Sequence, residues 1–105
     1  MTQAIRIGIV GCGSVMSRPY MSLIERLTYQ GKVEVVMACD VKEEKREFVR
    51  DRFGIQSFTT DFENVVDSDE VDLVLVLTSM LQHGLITRAA LEAGKHVLVE
   101  KPMST

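Results

Sequence analysis

The 105-residue sequence is short of cysteine, of surplus charge of one sign and of long apolar runs, and each shortage excludes a class of protein. Two cysteines, Cys12 and Cys39, are too few for a disulfide framework, and no CxxC or His/Cys cluster offers a metal site. Reduced thiols and a cytoplasmic protein are the expectation. Twelve Lys and Arg against fifteen Asp and Glu leave a formal charge of −3, which argues against a nucleic-acid partner. The longest apolar run, 71–77, is broken by Asp72 and falls far short of the roughly 20 residues of a membrane span, so no membrane partner is expected. No basic stretch leads into a long apolar one at the amino terminus, so no secretion signal is expected either. Repeats, low-complexity tracts and Pro/Ser-rich linkers are also missing.

What is present is an ordinary globular composition, 46% apolar and 26% charged, sized for one domain over residues 1–105. Short β-branched runs alternate with stretches of helical period. Ile5–Val10 reads as a buried strand ending at a glycine cluster. A helix is expected within 14–30, with Tyr20, Leu23, Ile24 and Leu27 on its apolar face and Gly31 as its cap. Pro19 is tolerated only in a first turn, so regular helix should begin near Arg18 or open irregularly. Val33–Cys39 is the second strand, followed by a charged helix over 42–53 that Gly54 caps. A weak strand over 56–59 and a short helix with Asp61 as N-cap come next. The run 71–77 gives the strongest strand, apolar enough to be covered on both faces. A capping box over 79–82 then opens a helix reaching Ala93, and His96–Val99 is the fifth strand.

Strand and helix alternate throughout, with no tight hairpin signal. That pattern requires an α/β domain: a doubly wound parallel sheet of the Rossmann type with at least five strands. Such sheets bind ligands outside the carboxyl ends of their strands, which singles out four segments. In Gly11-Cys12-Gly13-Ser14-Val15-Met16, the glycines allow a tight turn and a close backbone approach to a pyrophosphate at a helix N-terminus. Met16 departs from the small residue usual at the third position, and Gly8 within the first strand is a candidate for close packing instead. Asp40, at the end of the second strand and 24 residues past Met16, suits the carboxylate that accepts both hydroxyls of an adenosine ribose. It would repel a 2′-phosphate, favouring NAD(H) over NADP(H), although Lys42 could soften that preference. Asp40 through Glu43 is also compatible with a helix capping box, and the two roles do not exclude each other. The third segment, Thr78 to His83, lies across the switch in strand order; a lone histidine is more often a packed or surface residue than a catalyst. The fourth, Glu100-Lys101-Pro102, places a lysine able to donate to, or exchange a proton with, a substrate oxygen, although a Lys-Pro here is mostly just a strand ending.

Ile5-Arg-Ile-Gly-Ile-Val-Gly-Cys-Gly13, the acid at Asp40 and above all Ala90-Leu-Glu-Ala-Gly-Lys-His-Val-Leu-Val-Glu-Lys-Pro102 resemble the amino-terminal domain of the Gfo/Idh/MocA oxidoreductases. The resemblance runs from Ile5 to Ser104. It implies an NAD-dependent dehydrogenase, with NADP as second candidate, acting on a sugar, polyol or related hydroxyl or carbonyl compound. By motif match, Gly11, Gly13 and Ser14 would hold the pyrophosphate and Asp40 the adenosine ribose. Thr78, His83 and Glu100 would line the nicotinamide side, with Lys101 as catalytic lysine. Ser79-Met80 replaces a proline-containing pair common in the family. The family's sixth strand and second domain, which carries the substrate pocket, would lie beyond Thr105. The chain therefore reads as a fragment that binds dinucleotide but is inactive alone, with an open sheet edge suited to forming a homo-oligomer. Two alternatives remain: a non-catalytic nucleotide-sensing module, and a methyltransferase, in which Lys101 would have no role.

Overall fold

The computed structural model describes residues 4–11, 19–55, 57–77 and 80–99, with only the backbone of the helical residues 19–21, 52–53 and 80–83. In chain order the elements are β1 (Ile5–Val10), α1 (Pro19–Tyr29), β2 (Val33–Cys39), α2 (Lys45–Phe53), β3 (Phe58–Thr59), α3 (Phe62–Val66), β4 (Leu73–Val76), α4 (Met80–Glu92) and β5 (His96–Val99). They build one sheet in the order β3-β2-β1-β4-β5, with every neighbouring pair parallel. The strand order reverses between β1 and β4, so the expected doubly wound architecture and its switch point are both present.

Period-two alternation divides the strands between two apolar layers. Ile7, Ile9, Leu73 and Leu75 face the layer completed by Ile24 and Leu27 of α1 and by Phe48 and Val49 of α2. Val10, Val74 and Val76 face the opposite layer, with Val65 and Val66 of α3 and Ile86 and Ala90 of α4. In β2 the alternation slips by one residue. Ile7 pairs with Val35 but Gly8 with Met37, which leaves Val36 as the extra residue of a bulge. The slip returns Ala38 to the first layer and Cys39 to the second.

Several boundaries move from those expected. Pro19 is the first residue of α1, where its missing N–H costs nothing; 12–18 lie outside the described residues. Leu23 lies on the flank of the α1 stripe and is 48% exposed, whereas Ile24 is buried. The second helix begins at Lys45 rather than Lys42, because Lys42 to Glu44 form a turn. β4 is shorter than 71–77, although Asp72 and Leu77 still donate to Arg6 and Val10 of β1 at its two ends. Of the weak strand over 56–59 only Phe58–Thr59 forms, and Gln56 lies outside the described residues. α4 ends at Glu92, and Ala93, the expected last residue of that helix, is exposed in the turn that follows. Ser79 of the expected capping box lies outside the described residues, as does the side chain of Gln82.

Gly8 is where the sheet and a helix come closest. A Cβ built on it would lie 2.5 Å from Cγ1 of Val65 and 3.2 Å from both Cγ atoms of Val71. Its close packing is therefore against α3 and the approach to β4. No helix among the described residues is long and apolar enough to cross a membrane.

Candidate functional site

The carboxyl ends of β1, β2 and β3 meet at one rim. β1 runs out at Val10 into Gly11, which is buried and has φ 102°. That angle lies in the region where a Cβ is penalised, so the turn leaving β1 depends on glycine. The Gly11 N–H donates to the carbonyl of Cys39 at 2.7 Å, tying the turn to the last residue of β2. The next residue, Asp40, donates its N–H to the Thr59 carbonyl of β3 at 3.2 Å. Asp40 thus stands at the rim with its backbone tied to β3, one residue from the tie to β1.

The Asp40 carboxylate accepts the Lys42 N–H at Oδ1, 2.9 Å away, closing a tight local turn. It does not cap α2. The residue preceding that helix is Glu44, which makes no side-chain cap, and the capping-box reading of Asp40 through Glu43 is corrected accordingly. A carboxylate accepts several hydrogen bonds at once, so the Lys42 contact orients the group without excluding hydroxyl donors. Beside it Val41 is 73% exposed, a small apolar surface at the rim.

Asp61 caps α3 as expected, its Oδ1 accepting the Glu63 N–H at 2.9 Å. Asp40 and Asp61 both act on the buried Cys39 thiol. Burial, then the negative charges of Asp40 and Asp61, push that thiol up to about 12. On the flank, Arg46 is held by Glu43 at 2.6 Å and lies over the Phe58 ring.

Of the residues singled out from sequence, the structure therefore brings Gly11 and Asp40 together. His83 is the fourth residue of α4, its side chain outside the description. Gly13, Ser14, Thr78, Glu100 and Lys101 lie outside the described residues, as do Cys12, Met16 and Pro102. The strands that lead to them end on the same rim: Leu77 donates to Val10 at 2.8 Å, and Val99 pairs with Val76. Sequence reasoning missed Val41, Thr59 and Asn64. The Thr59-x-Asp61 spacing, a hydroxyl two residues before an N-cap, was the available signal for Thr59. Among the described residues no group of three or more His, Cys, Asp or Glu is placed to hold a metal ion.

Comparison with known proteins agrees with this geometry. Residues 5–105 match the family model described as an oxidoreductase family with an NAD-binding Rossmann fold. A glycosyl hydrolase family 109 protein of Solibacter usitatus is 36% identical over 93% of this chain and 24% of its own length. An inositol 2-dehydrogenase/D-chiro-inositol 3-dehydrogenase of Halalkalibacterium halodurans is 34% identical over 96% of this chain and 28% of its own. The crystal structure of scyllo-inositol dehydrogenase from Lactobacillus casei, with bound NAD(H) and scyllo-inositol, superposes with a TM-score of 0.77 at 25% identity, covering 92% of this chain and 28% of that one. The chain thus spans about a quarter of the length of the proteins it matches.

Proposed function

We propose, from the premise that this chain belongs to the oxidoreductase family with an NAD-binding Rossmann fold, that residues 1–105 are the cofactor-binding part of a dehydrogenase acting on a polyol, sugar or related compound. The observation that carries this reading is the adjacency of the Gly11 turn and Asp40 at the rim where the strand order reverses. The glycine conformation and the oriented carboxylate fit an adenine dinucleotide.

In this reading Gly11, Gly13 and Ser14 hold the pyrophosphate and Asp40 accepts the ribose hydroxyls. Exposed Val41 offers the adenine ring an apolar contact. The paired charges of Asp40 and Asp61 favour NAD(H), with NADP(H) the weaker ligand and Lys42 a partial counterweight. The nicotinamide, when bound, supplies a hydride acceptor or donor. Thr78, His83 and Glu100 line that end of the cleft, and Lys101 holds or moves the proton of the substrate oxygen. The substrate pocket belongs to the part of the parent protein that its relatives possess and this chain does not cover. The chain alone binds cofactor without turnover, in the cytoplasm, with neither membrane nor nucleic acid as partner. The edge strands β3 and β5 are its surfaces for self-association.

The name of the Solibacter relative favours one further reading, glycoside cleavage by a parent protein built on the same cofactor half. The two separate on whether the parent protein gives net change in NADH absorbance with a polyol or releases a sugar with none.

Fluorescence titration of the 105-residue chain tests the binding claim. NADH should bind more tightly than NADPH, and Asp40→Asn should narrow the gap by weakening NADH about tenfold or more, the loss expected for hydrogen bonds to a charged acceptor. Equal affinity of the two cofactors for the unaltered chain would remove Asp40 from this role.

A further inference from the structure

The conformation of Asp40 depends on a strand of only two residues. β3 contributes Phe58 and Thr59, paired with Ala38 and Cys39, at the outer edge of the sheet. At the two ends of that pairing the Ala38 N–H donates to the Ser57 carbonyl at 2.9 Å and the Asp40 N–H donates to the Thr59 carbonyl at 3.2 Å. So short an edge strand has little pairing of its own to hold it in register. A side-chain network holds it from the other side. The Thr59 hydroxyl oxygen accepts from Nδ2 of Asn64 at 2.7 Å and from the Asp61 N–H at 3.1 Å. Both donors belong to α3 or its cap, and α3 is anchored in the core by fully buried Val65.

The chain of contacts runs from the core through α3, Asn64 and Thr59 to the backbone of Asp40. We propose that Thr59 and Asn64 are positioning residues for cofactor recognition, holding the end of β2 so that the Asp40 carboxylate meets the ribose. Neither need touch the dinucleotide. Without the Asn64 bond, Thr59 loses its tie to α3, the carbonyl that fixes the Asp40 N–H drifts, and the carboxylate spends less time in its binding orientation. The inference rests on the assignment of Asp40 to the ribose.

The test is a set of NADH titrations on the 105-residue chain with Thr59→Val, Thr59→Ser and Asn64→Ala, each repeated in an Asp40→Ala background. Thr59→Val and Asn64→Ala should each weaken NADH about fivefold, a coupling of the size seen between residues sharing one network. Thr59→Ser, which keeps the hydroxyl, should stay within about twofold of the starting chain. In the Asp40→Ala background both losses should vanish, since no carboxylate remains to be positioned. A merely destabilising substitution would persist there, while rescue by serine shows that the hydroxyl is the group that matters. Either persistence or failure of that rescue overturns the proposal, as does unchanged affinity in Asn64→Ala. If the unaltered chain binds no NADH, or Asp40→Ala binds it as well as the unaltered chain, the ribose assignment falls and the positioning role falls with it. Should Thr59→Val fail to fold, Asn64→Ala and Thr59→Ser decide alone.

Discussion

Arg6 and Asp72 join the amino-terminal ends of β1 and β4 through one carboxylate that takes three hydrogen bonds from a single residue. The Arg6 backbone N–H and Nε reach Oδ2 at 3.0 and 3.1 Å, and Nη2 reaches Oδ1 at 3.0 Å. The Asp72 N–H returns a bond to the Arg6 carbonyl at 2.8 Å. The charge interrupting the most apolar run of the sequence thus sits at the edge of the sheet opposite the candidate site. It fixes the relative height of the two strands between which the strand order reverses.

Arg6 holds the Asp72 carboxyl down from its ordinary 3.8 to about 2, chiefly by its side-chain hydrogen bonds and then by its backbone N–H. With the folded value below the unfolded one, the stabilisation is complete above about pH 4 and is lost as pH falls toward about 2. Asp72→Asn should therefore be less stable than the starting chain at pH 7, and its urea midpoint should fall less between pH 4 and pH 2. Both side chains are about two-fifths exposed, so added salt should erode part of the difference. Parallel midpoint curves for the two chains across that pH range would show that the pair contributes nothing through its charge.

Gly8→Ala should cost about 1–3 kcal/mol, the usual range for overpacking a filled interior. The new methyl would meet Val65 Cγ1 at 2.5 Å, and both valines are branched at Cβ and stiff. Val65→Ala removes the obstructing methyl at a cavity cost of its own. The double substitution should then be less damaging than the two single costs together. Strict additivity in chemical denaturation would place the strain elsewhere.

The doubly wound parallel sheet, its switch point and the position of Asp40 at the end of β2 were legible because the alternation of apolar strands with amphipathic helices points to them. β4 is buried on both faces and contains nothing a helix would need. The start of α2 was not legible, since Lys42 is as good a helix former as Lys45. What delays the helix is the Asp40–Lys42 turn, a local bond that competes with helical pairing. The β2 bulge at Val36 was hidden for a related reason, because a run of valines looks alike on both faces. Thr59 and Asn64 carry no periodic signal either. A half-buried threonine and an exposed asparagine five residues apart become partners only when the edge strand and α3 are placed side by side.

Gly11→Ala should damage the site more than the fold. At φ 102° an alanine is strained by about 1–3 kcal/mol, and the turn can relieve that strain only by moving the backbone that leaves β1. The Gly11–Cys39 bond would lengthen and the turn leaving β1 would shift relative to Asp40. Thermal melting should report a modest loss of stability, while NADH affinity should fall by about tenfold or more. An alanine variant that melts lower yet binds NADH unchanged would separate this turn from the cofactor.

Cys39 should be chemically silent in the folded chain. It is 2% exposed, and its thiol, pushed up to about 12 by burial and by the neighbouring Asp40 and Asp61, stays protonated near neutral pH. Only the thiolate attacks a disulfide reagent, so both access and ionisation protect it. In a Cys12→Ser background, which leaves Cys39 as the single reporter, reaction with an aromatic disulfide should proceed at the rate of unfolding. It should become immediate once urea exceeds the unfolding midpoint. Native-state labelling as fast as that of a small-molecule thiol would mean that the end of β2 opens readily, and with it the support on which Asp40 stands.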